Sequence, residues 1–446
     1  MYIIKNKILT DATGSPFKTV SGEIFLTADL LNNIFNYSDY VDAVKSNLTV
    51  QVVKLYLLNS DETPLIDVSE YLLSGNLSYN YQKGQTHSLN ITLANFDNFW
   101  SVHPVLGNLW RGTKFRLDIG LFSSNNVYWR QCGIFVTKDI NVLDQPENTI
   151  SLQLYDKFAL LDGKIGGSVD SDLKIPVNTN LVSALNMCLK YEYDKIALLD
   201  GKIGGSVDSD LKIPVNTNLV SALNYGNIFD SKPIVFEKDI SSIKTPYTIT
   251  KTGDTTIGDV MIELADMVSS DIFYNQYGNL TLRPGVDESP LSEHGIAWHY
   301  NEEELLYSSS HTSIDGGAIV NKFIVKGAIE NGKQFKGAAL NTNPYSPSNV
   351  FLNPINSKVL EDKNIVSDDL AQERAEYELQ NCNLNYMTSG FQSIFVPHLQ
   401  PKDVVSWTNK SRGIINEKYV LTSLSFTLGD GSLMSIEMAK VQEVAV

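Results

Sequence analysis

Thr256–Pro284 reads TIGDVMIELADMVSSDIFYNQYGNLTLRP. Thr256 with Asp259 three positions on is a capping-box pattern, Asp replacing the usual Glu, and predicts a helix start. Ile257, Val260, Met261, Leu264, Ala265 and Val268 then recur at the spacing of a helix with one buried face. The period changes at once to that of strands: Asp271–Tyr274, a polar turn Asn275-Gln276-Tyr277-Gly278-Asn279, and Leu280–Arg283 ahead of Pro284. The stretch predicts a helix feeding a hairpin. Its neighbours decide what this small α/β unit is embedded in.

Upstream, four runs alternate as strands do: His87–Leu93, Lys114–Leu121, Val127–Thr137 and Thr149–Tyr155. Polar turns at 123–126 and 144–148 separate the last three. Several short strands with polar turns predict a small antiparallel barrel or sandwich. Before them, Thr27–Phe35 predicts a short helix capped by Thr27. Downstream, strands return at Ile319–Lys326, Gln334–Leu340, Gln392–Val396 and Asp403–Trp407. A closing hairpin follows, with Val420, Leu424, Phe426 and Leu428 answered by Met434, Ile436 and Met438 across the turn Gly429-Asp430-Gly431-Ser432. One helix interrupts, Ser367–Cys382, with Asp368 and Asp369 in its positive first turn. Its stripe of Leu370, Ala371, Ala375, Leu379 and Cys382 would cover one face of a sheet.

Between the first strands and the α/β unit, Ala159–Asn186 recurs letter for letter at Ala197–Asn224, an offset of 38 positions. The match extends upstream, so the copies span 155–186 and 193–224. Two copies without a third do not make a solenoid, which needs a stack of repeats. In the first copy Thr179 can cap a helix through Leu181, Val182, Leu185, Cys188 and Leu189. In the second copy the same start soon meets Tyr225-Gly226. The first copy is expected to sit in the fold and the second to be the insertion.

Composition limits the function. The 446 residues carry 51 acidic and 35 basic side chains, a net charge of −16. That balance argues against tight binding to phosphate backbones, which depends on Lys and Arg displacing counterions. No stretch has the roughly 18 apolar residues of a membrane span, and MYIIKNKILTD is no secretory signal. Cys132, Cys188 and Cys382 are far apart, which supports buried free thiols over a disulfide framework or a zinc site. The GKIGGS segments (Gly163–Ser168 and Gly201–Ser206) have Lys before the paired glycines, the wrong order for a phosphate loop, and read as surface turns. His294 and His299 do not share a helix face, and no nucleophile elbow is present. Glu302-Glu303-Glu304 reads as a solvated acidic turn. Phe96, Phe99 and Trp100 read as a loop anchored in a core, or as a sugar-stacking platform. No catalytic, cofactor-binding or metal-binding residue is assigned.

The order of strands, α/β unit and strands brings specific phrases together. Gly133-Ile134-Phe135-Val136, TISLQLYDKFALLDG (Thr149–Gly163), the stretch Thr256–Pro284 and IVNKFIVKG (Ile319–Gly327) occur in that order. Tyr345-Ser346-Pro347, the helix Leu370–Leu379, Leu399–Val405 and Met434-Ser435-Ile436 follow. Over about residues 70–446 these resemble the phage tail and baseplate hub proteins, a family that includes the hub part of type VI secretion spikes. The duplicated block departs from the family pattern, which has one such segment.

The resemblance implies an α+β, mainly β fold: two tube-protein-like antiparallel β-barrels flanking a small α/β module. Its domains would be 1–70, an arm or strands left unassigned; 71–157, the first barrel; 158–290, the middle module with the repeat; and 291–446, the second barrel with the helix 367–382. It implies a virion protein assembled in the host cytoplasm, a homotrimeric adaptor joining a sixfold tail tube to a threefold spike and lining the passage for DNA ejection. Partners would be the tail tube or distal tail protein, the spike or tip protein and a tape measure protein. DNA would pass without specific binding, and the acidic balance would lubricate it. No cofactor is implied. A tail-associated cell-wall hydrolase and a peripheral baseplate or receptor-binding piece are the alternatives.

Overall fold

In the strands after residue 50, apolar and polar side chains alternate, giving each one face for a core and one for water. The computed structural model describes residues 3–5, 8–10, 37–45, 50–188, 234–237, 249–251, 255–284, 295–301, 310–314 and 319–440. Short gaps fall at 60, 82–83, 97, 105–106, 124–125, 145–146, 170–172, 268–269, 331, 345, 347, 364, 384–386 and 430–432. The helix expected at Thr27–Phe35, the second repeat copy, His294 and the Glu302–Glu304 turn lie outside the described residues.

The chain is mainly β with few helices. β1 (Ile3–Lys5) and β2 (Ile8–Thr10) form a hairpin, and α1 (Tyr37–Lys45) follows. A large sheet then takes β3 (Val50–Leu58), β4 (Pro64–Asp67), β5 (Leu72–Asn80), β6 (His87–Ala94), β7 (Lys114–Ser123), β8 (Asn126–Leu143) and β9 (Thr149–Asp156). The sequence reading leaves 50–67 unassigned, yet β3 pairs along most of its length with β7, Val50 against Phe122 through Leu57 against Phe115.

The middle module holds β10 (Leu173–Ile175), α2 (181–188), β11 (Val235–Phe236), β12 (Ile249–Lys251), α3 (Ile257–Asp266), β13 (Ser270–Tyr274) and β14 (Leu280–Pro284). The capping box is present: Thr256 Oγ1 accepts from the Asp259 amide at 3.1 Å, and Asp259 Oδ2 accepts from the Thr256 amide at 2.9 Å. First-copy residues Leu173, Ile175, Leu181 and Leu185 pack with Ile257, Val260, Met261 and Leu264 in one core. The cap of α2 is Asn180, whose Oδ1 accepts from the Ser183 amide at 3.3 Å. The neighbouring Thr179 turns its hydroxyl back to the Pro176 carbonyl instead, at 2.6 Å.

The last section opens with β15 (Trp298–Asn301) and β16 (Ser310–Ile314). A separate three-stranded sheet follows, of β17 (Lys322–Glu330), β18 (Lys333–Leu340) and β19 (Ser357–Glu361), covered by α4 (Asp368–Asn383). The large sheet then resumes with β20 (Met387–Ser393), β21 (Val404–Asn409), β22 (Ile414–Thr427) and β23 (Met434–Ala439). The strand expected at Gln392–Val396 lies earlier, because Ser393 is the last residue paired with β23. Phe395 and Val396 are buried in the core, outside the sheet.

The large sheet runs β16-β20-β23-β22-β5-β6-β9-β8-β7-β3-β4, with β21 bridging β22 and β15. Its two halves repeat one order. In the first, β5-β6-β9-β8-β7 is flanked by β3. In the second, β16-β20-β23-β22-β21 is flanked by β15. In each half one long strand serves two partners: β8 pairs with β7 and then β9, and β22 with β21 and then β23. Bulges at Thr137/Asp139 and Leu421/Ser423 mark the changes of partner, since an extra residue bends a strand and raises its twist. The β22–β5 pairing joins the halves, Ser423 against Asn80 through Thr427 against Asn76. One hydrophobic core runs beneath both. The strands form this continuous sheet, and no closed barrel is formed among the described residues.

Candidate functional site

Alternation in β5, β6 and β9 sends Leu77, Leu89, Ile91, Leu152 and Leu154 into the core. The intervening residues form an outer face, and the register aligns them into rungs. Ser74, Thr92, Ser151 and Asn141 make one, and Thr427, Asn76, Asn90, Gln153 and Asp139 a second. A third runs from Gln392 through Ser435, Ser425, Ser78 and Ser88 to Tyr155, crossing both halves of the sheet.

The rungs are almost wholly hydroxyl and amide. Neighbouring groups bond one another: Ser78 Oγ donates to Asn76 Oδ1 at 3.1 Å, and Ser423 Oγ to Asn80 Oδ1 at 2.9 Å. A concavity of about 500 Å³ lies over the β5-β6-β9-β8 part, bordered by Asn76, Asn90, Thr92, Asn141, Ser151 and Gln153. Lys138 and Lys164 lie over the ring of Tyr155, at the end of the third rung. Each is neutralised, Lys138 by Asp139 at 3.2 Å and Lys164 by Asp162 at 2.7 Å. Such a face offers neutral hydrogen bonds without cations to hold a phosphate backbone.

A buried polar joint fixes the middle module against this sheet. Lys157, the residue after β9, is fully buried, its Nζ 2.6 Å from Glu62 Oε1. The same oxygen accepts from Lys114 Nζ at 3.0 Å. Lys157 also donates to the Gly278 carbonyl at 2.8 Å and lies over the Tyr274 ring, so it grips the β13–β14 hairpin. Gln131 donates to the Gln276 carbonyl of that turn at 2.8 Å. From the second half, Lys402 pairs with Asp271. Asp156 completes the joint: its carboxylate accepts from the amides of Thr86, His87 and Phe158 at 2.7, 2.8 and 3.0 Å.

The sequence-derived residues are scattered over the molecule. His87 bonds Thr86 and Gln400, and His299 bonds Ser406. His398, against Tyr40 and Trp298, is pushed down to about 4 by burial. Burial likewise pushes the Cys132 and Cys188 thiols up to about 12, while Cys382 is partly exposed. In the first GKIGGS segment, Arg111 donates to the Lys164 and Ile165 carbonyls at 3.1 and 2.8 Å, consistent with a structural turn. Gly167 has φ +91° and lies so close to Leu161 that a Cβ would overlap its backbone. Trp100 is buried and Tyr71 stacks on Phe99, which anchors the loop in the core, while Phe96, also stacked on Tyr71, stays exposed. Among the described residues, no group of three or more His, Cys, Asp or Glu could hold a metal ion, and no helix is long and apolar enough to cross a membrane.

Sequence reading missed Lys157, Glu62 and Lys402, because their partners lie far along the chain. The neutral face was open to it: Ser, Thr, Asn and Gln occupy the alternate positions of β5, β6 and β9.

Neither a protein-family model nor a curated protein sequence matches the chain. Solved structures do. The chain is similar to a tail protein from Neisseria meningitidis MC58, with a TM-score of 0.55 and 10% identity over 89% of this chain and 98% of that one. It is equally similar to the 43 kDa tail protein of prophage MuSo2 from Shewanella oneidensis, with a TM-score of 0.55 and 12% identity over 87% and 98%. The chain has the fold of these phage tail proteins.

Proposed function

We propose that the chain is a structural virion protein: the hub adaptor that joins a sixfold tail tube to a threefold spike or tip, acting as a homotrimer around a passage for DNA. The observation that carries this reading is internal to the chain. Two β modules of one strand order are fused edge to edge through β22 and β5. Three copies then present six like modules, which matches threefold to sixfold symmetry without a change of fold. In this reading each half is one barrel-like unit of the ring, facing the tail tube or distal tail protein. The spike or tip protein lies on the other side, and a tape measure protein in the passage.

The outer face of hydroxyls and amides supports the passage role. The described rungs carry no lysine or arginine, and such a wall on a chain of net charge −16 lets DNA slide and gives it nothing to bind. The matching division is a first β domain ending at 157, a middle module over 158–290 and a second β domain over 291–446. The β3–β7 pairing adds 50–67 to the first. The role is assembly, without catalysis or cofactor, in a virion assembled in the host cytoplasm. Removing the gene from its phage or prophage tests it. The expected result is particles with incomplete tails, restored by the gene in trans. Complete, infectious particles would contradict the reading.

A further inference from the structure

The small β18-β17-β19 sheet is closed on one face and one edge. On the closed face α4 packs so tightly that a Cβ on Gly337 would lie 2.2 Å from the Ala371 backbone. At the β18 edge, the outward amides of Lys336 and Ala338 donate to Asp368 Oδ1 and Gln372 Oε1 of α4, at 3.0 and 3.1 Å. Capping of this kind keeps another strand from adding there.

The opposite face is left open. The register puts Ile324, Ala338 and Val359 together on it, with Lys322 beside Leu340 and Lys336 beside Lys326, which pairs with Glu361 at 2.8 Å. Beside it, the loop between β18 and β19 holds Phe351, Leu352 and Ile355 at 76%, 72% and 64% exposure. This loop is built around buried polar groups. Asn341 Nδ2 donates to Ser346 and Ser348 at 2.8 Å, and Asn349 Oδ1 accepts from the Phe351 and Leu352 amides at 2.9 and 2.8 Å. Three large apolar side chains are thus held in water on an ordered scaffold, at the margin of a lysine-bearing face. Such anchors are the material of protein interfaces.

The complement lies on the first β module. Where β5 begins and β8 ends, Leu73 and Phe96 are 58% and 65% exposed, and Leu143 is exposed beside them. Glu70, Asp144 and Glu147 are exposed at the same end. One patch is apolar with basic flanks and the other apolar with acidic flanks. Both are exposed among the described residues.

We propose that copies of this chain join head to tail, the Phe351-Leu352-Ile355 loop and lysine face of one copy seating on the Leu73-Phe96-Leu143 end of the next. Two different surfaces make a heterologous contact, which closes into a ring when the rotation allows. The inference rests on the ring reading above and names the surfaces that close it.

The test uses the full chain, with masses from light scattering and native mass spectrometry. One variant carries Phe351→Asp and Leu352→Asp, the other Leu143→Asp and Phe96→Ser; all four positions are exposed, and circular dichroism checks folding. Each variant alone should associate at least tenfold more weakly than the unsubstituted chain. Mixed, they should form a dimer, because one intact patch of each kind remains. Charge reversal at Lys322→Glu and Lys336→Glu should also weaken association, and Asp144→Lys with Glu147→Lys in the same chain should restore it. A trimer indifferent to both variants would overturn the proposed surfaces and leave the hub reading standing. Failure of the mixed variants to dimerise would overturn the head-to-tail arrangement. An unsubstituted chain that stays monomeric would overturn both.

Discussion

The Lys157 ammonium lies 2.6 Å from Glu62 Oε1, both buried, where the sheet passes the chain to the α/β module. Glu62 also holds Lys114, so two buried cations share one carboxylate. Glu62→Ala removes the carboxylate that both cations share and should cost about 3–5 kcal/mol, the usual penalty for breaking a buried pair. Lys157→Met should cost less, since Glu62 keeps Lys114. Urea unfolding of the two variants gives the order. Equal losses would mean that Glu62 does not serve both lysines.

Thr256 and Asp259 bond reciprocally at the start of α3. Thr256→Ala should cost about 1 kcal/mol, and Thr256→Ser should retain most of it. Thermal unfolding measures the difference; a serine variant no better than alanine would argue against the cap.

His398 supplies a pH signature. Its native value, pushed down by burial to about 4, lies below the ordinary 6.5, so the unfolded chain binds the extra proton between those values. Stability contributed by neutral His398 is therefore full above about pH 6.5 and falls as pH drops toward 4, by up to about 3 kcal/mol. Denaturation midpoints of the native chain and His398→Gln, compared from pH 7 to 4.5, should converge as pH falls. Parallel curves would contradict the burial of the ring.

The repeat makes a deletion prediction. First-copy residues Leu173, Ile175, Leu181 and Leu185 already pack against α3. Removing 193–224 should leave a chain that unfolds cooperatively and keeps its β-rich circular dichroism. Loss of cooperative unfolding would mean that the second copy belongs to the core.

The polar face predicts an effect of added charge. Ser78→Lys, Asn90→Lys and Ser151→Lys are conservative for folding, because these side chains point away from the core. In a reconstituted particle, cations on the passage wall should slow DNA release and make the rate depend on salt. Release as fast as in the unsubstituted particle would remove this face from the passage.

The helix and hairpin of Thr256–Pro284 were legible because capping, stripe and turn signals are all local and agree. The length of β8 was not. Alternation holds to Thr137, then the bulge before Asp139 shifts its phase, and the strand continues to Leu143 under a new partner. At Phe395 and Val396, burial without pairing imitates a strand. Thr179, the cap expected from the sequence, gives way to its neighbour Asn180, because its own hydroxyl turns back to the Pro176 carbonyl. The joint at Lys157 draws on residues 62, 114 and 278, a convergence that only the folded chain displays. The outer face was written in alternate positions, but its continuity across both halves depends on the β22–β5 register.

An image of the assembled tail tip, at a resolution that traces this chain, tests the hub assignment. The expected image has three copies on a threefold axis, six β modules in a ring, and the rungs through Ser78, Asn90 and Ser151 turned toward the axis. Six copies per tip, or those rungs turned outward to solvent, would contradict it.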